Sequence, residues 1–169
     1  MKSLTVILHN IRSVYNVGAI LRTCEGFGVE KVYFSGYTPH LGKGLPHEQE
    51  KLRRQIHKTA LGAEEMVPQK YVEDLGHFIE VARTQMHMHL LALEQAENST
   101  KLEDLRVDSD KDYMLILGEE VHGVPPEILA KVDEILEIPM VGRKESFNVS
   151  VAAGIAIWEL SKLSFRAEK

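Results

Sequence analysis

Three short segments carry residue types at spacings from which chemistry can be built. The first is Asn10-Ile11-Arg12-Ser13-Val14-Tyr15-Asn16-Val17-Gly18-Ala19-Ile20-Leu21-Arg22. Asn16 falls at the mouth of a predicted helix, where its side chain can cap free N–H groups or help hold an anion. Gly18 removes a side chain from the first turn, which lets a ligand or another backbone approach closely. Arg22, one to two turns further on, offers a planar fork suited to phosphate. For this segment alone, a capped helix with a salt-bridged arginine is the default. The second segment is Leu115-Ile116-Leu117-Gly118-Glu119-Glu120-Val121-His122-Gly123-Val124-Pro125. A glycine directly after an apolar strand lies where α/β folds bind ligands, at the strand carboxyl ends. The segment is neither a dinucleotide fingerprint nor a P-loop, and a plain strand–turn–helix connection also fits it. The third runs from Ile138-Pro139-Met140 through Glu145-Ser146-Phe147-Asn148 into an apolar run that starts at Val149. Ser146 and Asn148 are capping types, and polar groups at the mouth of a buried helix make a floor for a ligand.

These segments need a frame to hold them. Leu4–Leu8, Val32–Phe34, His89–Leu93, Tyr113–Leu117 and Ile135–Ile138 read as strands, with a possible further strand at Met66-Val67. Val17–Phe27, Val72–Gln85 and a short stretch after Pro125-Pro126 to Val132 read as helices. Gly36–Pro46 is rich in glycine and proline and reads as a loop, as does the acidic stretch Glu94–Asp112. The strands are apolar runs rather than polar/apolar alternations, the pattern of a parallel sheet covered on both faces. The closing helix is apolar on nearly every face from Val149 to Ile157. It must therefore be buried all round, by its own domain or by a second subunit.

A length of 169 residues predicts one domain spanning 1–169. With 44% hydrophobic and 27% charged residues, the chain is ordinary for a globular protein. No apolar stretch reaches the roughly 18–20 residues needed to span a bilayer, and Met1–Asn10 does not have the form of a signal peptide. Cys24 is the only cysteine, which rules out an intrachain disulfide and suits the cytoplasm. The net charge of −5 lacks the basic surplus of a strong nucleic-acid binder. Positive charge is concentrated locally in Lys51, Arg53, Arg54 and Lys58, a run that also suits a solvated helix face. His87 and His89, two apart on a predicted strand, are too few for a structural metal site, and no metal is expected. His122 reads as an exposed loop residue, and Trp158 as a core or subunit contact.

Together the three segments resemble the signature motifs of the SPOUT superfamily, specifically the TrmH (SpoU) family of RNA ribose 2′-O-methyltransferases. The family's first motif, N-x-R-x-x-x-N-x-G-x-x-x-R, is filled by Asn10, Arg12, Asn16, Gly18 and Arg22. The second is matched by Gly118, Glu120 and Gly123, and the third by Ile138, Pro139, Met140, Ser146, Asn148, Val149 and Ser150. The resemblance covers essentially the whole chain. Glu119 stands where Asn or Ser is common, Val121 where Gly is common, and Phe147 replaces the usual Leu.

The resemblance implies a parallel sheet flanked by helices with a C-terminal trefoil knot, formed near Leu117–Gly123, Ile138–Asn148 and the closing helix. The strand and helix pattern does not itself indicate a knot, which is rare among folds. It further implies S-adenosylmethionine as cofactor, a tRNA or rRNA substrate, and a homodimer with the closing helix near its interface. No separate RNA-binding extension is expected. The implied catalytic residue is Arg22, with Asn16, Glu120, Ser146 and Asn148 shaping the pocket. Leu117, Gly118, Glu119, Gly123, Ile138, Met140, Phe147, Asn148 and Val149 would hold the cofactor. Arg12, Arg22, Arg53, Arg54 and Lys58 would contact RNA. Transfer to a ribose 2′-oxygen demands alignment and removal of the hydroxyl proton. Arginine is a poor base, with a pKa above about 12, so Arg22 is expected to orient a phosphate and stabilise developing alkoxide charge. The rival readings are a non-catalytic RNA- or S-adenosylmethionine-binding module and a methyltransferase for a non-RNA substrate.

Overall fold

Among the described residues, seven strands pair side by side, all parallel, in the order β3-β2-β1-β6-β4-β7-β5. The computed structural model describes residues 3–42 and 44–162; residues 1–2, Lys43 of the predicted Gly36–Pro46 loop, and 163–169 of the predicted domain lie outside the described residues. The elements follow in chain order: β1 Leu4–His9, α1 Val14–Gly26, β2 Lys31–Ser35, α2 Pro46–Ala60, α3 Ala63–Met66, β3 Gln69–Val72 and α4 Leu75–Thr84. Then come β4 Met88–Leu93, β5 Thr100–Lys101, a single 3₁₀ turn at Leu102–Asp104, β6 Asp112–Leu117, α5 Pro126–Leu129, β7 Glu134–Glu137 and α6 Val149–Ser161.

The apolar strands are buried on both faces, as their composition requires. Val6 and Leu8 of β1, Leu91 of β4 and Leu115 and Leu117 of β6 pack into one core with Val17, Ile20 and Leu21 of α1 and Ala153, Ala156 and Ile157 of α6. The alternate residues Ile7, Leu90, Ala92, Met114 and Ile116 join Leu75 and Ile79 of α4 and Ile128 of α5 on the opposite face. The sheet is therefore a two-sided wall. Its strand carboxyl ends emit the loops of all three segments along one edge, where ligands bind in open α/β sheets.

Several elements differ from the sequence reading. Helix α1 starts a turn early, because Ser13 rather than Asn16 caps it: the Ser13 hydroxyl accepts from the Asn16 N–H at 3.3 Å. Asn16 is thereby freed to use its side chain elsewhere. Met66-Val67 is not a strand. Met66 ends the short helix α3, and the edge strand is β3, whose partly exposed Gln-Lys-Tyr-Val sequence has no apolar run to betray it. Helix α4 begins at Leu75, where Asp74 accepts from the His77 N–H at 2.9 Å. The Glu94–Asp112 stretch contains a two-residue strand and a 3₁₀ turn. His87 precedes β4 in a left-handed conformation (φ 55°), so it does not share a strand face with His89.

Helix α6 departs from expectation in a way that bears on function. Ala153, Ala156, Ile157 and Leu160 are buried, but Val151, Ile155 and Trp158 are 49%, 36% and 45% exposed. At spacings of four and three they form one stripe along the helix, exposed among the described residues.

Two consequences can be measured. A Cβ on Gly18 would lie 2.2 Å from the Thr59 hydroxyl and 2.5 Å from the Ile56 carbonyl oxygen. The close approach Gly18 permits is therefore that of α2, not of a ligand. Alanine gains about 1 kcal/mol of helix propensity over glycine, but a backbone carbonyl cannot yield as a side chain can. Gly18→Ala is expected to lower stability by about 1–3 kcal/mol in a urea titration. Cys24 is fully buried in the core, and burial pushes its thiol up to about 12. At pH 8 the thiolate fraction is then on the order of 10⁻⁴. The native protein should resist iodoacetamide over hours, while the urea-unfolded chain should be alkylated within minutes.

Candidate active site

The carboxyl ends of β4, β6 and β7 and the first turn of α6 enclose a cleft of about 380 Å³. Its floor is the loop after β6. Glu119 and Gly123 exchange backbone hydrogen bonds (Glu119 N–H to Gly123 O at 3.1 Å, the reverse at 2.9 Å), which folds residues 119–123 into a closed turn. The turn lies directly over Gly118, where a Cβ would meet Gly123 C and O and Val124 N at 2.2–2.4 Å. Gly123 has φ +68° and packs against the Glu94 carboxylate, which accepts from the Val124 N–H at 2.8 Å. Both glycines are required by the loop's path.

The apolar lining comes from Leu93, Leu117, Leu136, Ile138, Phe147, Val149 and Ala152, which offers a surface for a flat aromatic group. The polar lining is acidic, with Glu94, Glu119, Glu120, Glu137 and Glu145 and, among the described residues, no Lys, Arg or His. Such a cleft favours a cationic ligand.

A chain of hydrogen bonds ties the three segments together. Glu120 accepts from the Asn16 side-chain amide at 2.9 Å, the Ser13 N–H at 3.2 Å and the Arg12 N–H at 3.1 Å. The Asn16 side-chain oxygen accepts in turn from the Asn148 amide at 3.3 Å. Asn148 caps α6 through its side-chain oxygen, which accepts from the Ser150 N–H at 2.9 Å. Burial pushes the Glu120 carboxyl up, but the N–H groups from Arg12, Asn16 and Ser13 outweigh it and hold the pKa below the usual carboxylate range. Glu120 is thus a fixed anion that orients Asn16, not a proton acceptor poised near neutrality. Glu119 is also held low, first by the Arg12 guanidinium. Arg12 bonds Glu119 at 2.5 Å, and His122 sits 3.1 Å from its other oxygen. Glu119 thereby occupies its unusual position in the second segment with partners to match.

Of the residues expected at a cofactor, Leu117, Gly118, Glu119, Gly123, Ile138, Phe147 and Val149 line the cleft. Met140 and Asn148 do not line it; Asn148 belongs to the hydrogen-bond chain behind it. Ser146 lines the cleft but does not cap α6, a role Asn148 fills alone. The sequence reading missed Leu93, Glu94, Gln95, Leu136 and Glu137. The strand-end rule that picked out the loop after β6 applies equally to β4 and β7 and finds them.

Arg22 lies apart. It lines a separate surface depression with Ala19, Thr23, Gly26, Phe27, Lys58 and Thr59. Among the described residues its guanidinium has no hydrogen-bond or ion-pair partner. Arg53 and Arg54 are exposed on α2 and ion-paired to Glu65 and Glu50, each at 2.9 Å. Such exposed pairs are worth about 0–1 kcal/mol and can exchange partners. Among the described residues no cluster of three or more His, Cys, Asp or Glu is arranged to hold a metal, and no helix is long and apolar enough to cross a membrane.

Comparison with known proteins places this geometry in context. Residues 3–158 match the family model described as the SpoU rRNA Methylase family. The chain is 30% identical over 165 residues to a tRNA (guanosine(18)-2′-O)-methyltransferase of Aquifex aeolicus, covering 95% of this chain and 70% of that protein. The fold is similar to the crystal structure of the A. aeolicus TrmH/SpoU tRNA modifying enzyme, with a TM-score of 0.80 at 26% identity over 99% of this chain and 78% of that one. It is also similar to an AdoMet-bound rRNA methyltransferase from Sinorhizobium meliloti, with a TM-score of 0.79 at 22% identity, covering 95% of this chain and 56% of that one. The chain thus spans little more than half of the Sinorhizobium protein.

Proposed function

The chain belongs to the SpoU rRNA Methylase family, and from that premise we propose that it transfers a methyl group from S-adenosylmethionine to a ribose 2′-hydroxyl of tRNA or rRNA. The observation that carries this reading is the cleft itself, with its strand-end loops, its apolar surfaces for adenine and its carboxylates for a cation. S-adenosylmethionine, when bound, supplies an electrophilic methyl on a positively charged sulfur. The Gly118–Gly123 turn and the ends of β4 and β7 grip the ligand through backbone groups. Apolar side chains from Leu117, Ile138, Phe147 and Val149 exclude water. Glu120 holds Asn16, and Asn16 holds Asn148 at the first turn of α6, which fixes the cleft wall against which the ribose is aligned. The support for the family's trefoil knot over residues 117–160 is the three motifs in order and the 0.80 structural similarity.

The catalytic arginine requires a second subunit. Arg22 and Phe27 share the separate depression, and the Phe27 ring lies 5.5 Å from the ring of Trp158, at the far end of the exposed α6 stripe. The cleft adjoins the other end of α6, at Val149 and Ala152. A two-fold axis perpendicular to α6 pairs the Val151/Ile155/Trp158 stripe with itself and runs the two helices antiparallel. Trp158 and Arg22 of one subunit then approach the cleft mouth of the other. The dimer thereby covers the apolar stripe and completes each site with an unpaired arginine, which orients a phosphate and stabilises the developing alkoxide. Lys58, in the same depression, adds positive charge for RNA, with Arg12, Arg53 and Arg54 nearby in sequence or on α2. A cytoplasmic location suits this substrate.

The test is incubation of the protein with methyl-labelled S-adenosylmethionine and RNA from cells lacking it. Label is expected in RNA. Tight cofactor binding with no label in any RNA pool would point instead to a binding module, and label in protein or small molecules to another substrate.

A further inference from the structure

Tyr37 is 53% exposed in the loop after β2, more than any other aromatic residue described. An exposed aromatic ring alone signifies little, but this one is held in place from several sides. Its N–H donates to the Asn10 side-chain oxygen at 3.2 Å. Asn10 itself adopts a left-handed conformation (φ 59°), and so does Gly36 (φ 63°). A Cβ on Gly36 would lie 1.8 Å from the same Asn10 oxygen. The Asn10 amide rests 3.0 Å from the His9 ring, whose other nitrogen is 2.8 Å from the Ser35 hydroxyl. Below the turn, the Tyr71 hydroxyl donates to the Gly36 carbonyl at 3.0 Å, and His40 stacks on Tyr71 with ring centroids 4.2 Å apart. Gly36 takes the left-handed conformation freely, whereas Asn10 takes it at some cost in free energy, and together they aim the Tyr37 backbone outward.

The Tyr37 side chain also lies beside the Arg12 guanidinium and the Glu119 carboxylate, and it favours the charged form of each. Glu119 lines the cleft, so the ring stands near its mouth. Arg12, with its side chain 60% exposed, lies beside it. A rigid aromatic face next to an exposed guanidinium is the pairing that holds an unstacked nucleotide: the ring stacks on the base while the cation meets the phosphate. Because ring and backbone are already ordered, little conformational entropy is lost on binding.

We propose that Tyr37, held by Asn10 beside the exposed Arg12, is the stacking platform for an unpaired base of the RNA substrate at the mouth of the cleft. This inference rests on the RNA methyltransferase reading above. Its test compares Tyr37→Ala and Tyr37→Phe with wild type. The readouts are equilibrium binding of fluorescently labelled, unfractionated tRNA and rRNA, KM and kcat for the same RNA, and calorimetric affinity for S-adenosylmethionine. Loss of the ring is expected to weaken RNA binding and raise KM about five- to a hundredfold. Phenylalanine, which keeps the ring and loses the hydroxyl, should stay within about threefold of wild type, and cofactor affinity should be unchanged in both. RNA affinity unchanged in Tyr37→Ala would overturn the inference. So would a Phe variant as weak as the Ala variant, which would assign the effect to the hydroxyl rather than to the ring. A parallel loss of cofactor affinity would overturn it as well, by marking a collapsed cleft. A wild-type protein that neither binds nor methylates RNA would defeat the functional reading along with this one. An active wild type matched by Tyr37→Ala defeats this one alone.

Discussion

Replacing Arg22 with alanine is expected to lower methyl transfer to RNA about a hundredfold to a thousandfold, the usual effect of removing one donor to a developing oxyanion. Affinity for S-adenosylmethionine should be unchanged, because Arg22 does not line the cleft. Arg22 is exposed and has no partner among the described residues, so the substitution should not alter the unfolding midpoint. The dimer proposal makes a sharper prediction from the same variant. When Arg22→Ala is unfolded and refolded in equal amounts with a variant unable to bind cofactor, half of the dimers are mixed. Each mixed dimer has one intact cleft facing one intact arginine across the two-fold axis. About a quarter of wild-type activity should return if Arg22 acts across the interface, and none if it acts within its own subunit.

Gly118→Ala is the second change with a large expected effect. The added methyl would sit 2.2–2.4 Å from three backbone atoms of the returning turn. No side-chain rotation relieves a clash with backbone, so the 119–123 turn must shift. Overpacking of this kind costs about 1–3 kcal/mol; when the free loop shifts to relieve the clash and must return to hold the ligand, that cost is read as roughly a 5- to 150-fold loss of affinity at 1.4 kcal/mol per decade. Calorimetry with S-adenosylmethionine reads it directly. Affinity within twofold of wild type would mean that the turn does not grip the ligand.

The parallel sheet was legible because apolar runs such as Tyr113 to Leu117 must be covered on both faces, and they are. The cleft's main wall was legible for a related reason: a glycine after such a strand marks a carboxyl-end loop, as Gly118 does. Strand β3 was hidden because an edge strand need not be apolar. The cap of α1 was misplaced by one turn because Ser13 and Asn16 are both good capping types. Only the three-dimensional neighbour Glu120 decides between them, by engaging the Asn16 side chain. The placement of Arg22 outside the cleft was beyond local pattern, since its spacing from Asn16 fixes a position on α1 but not which subunit's site that position faces. The apolar character of α6 implied full burial, whereas Val151, Ile155 and Trp158 are exposed; the proposed dimer would cover them.

The central claim is that the methyl group goes to a ribose oxygen. RNA labelled by the protein from methyl-labelled S-adenosylmethionine should be hydrolysed in alkali and its products separated by size and identified by mass spectrometry. Alkaline cleavage needs a free 2′-hydroxyl, so a 2′-O-methyl group protects the adjoining phosphodiester. The account predicts that the label emerges in alkali-stable dinucleotides and in a single 2′-O-methylated nucleoside after enzymatic digestion. Label recovered only in mononucleotides carrying a methylated base would contradict it.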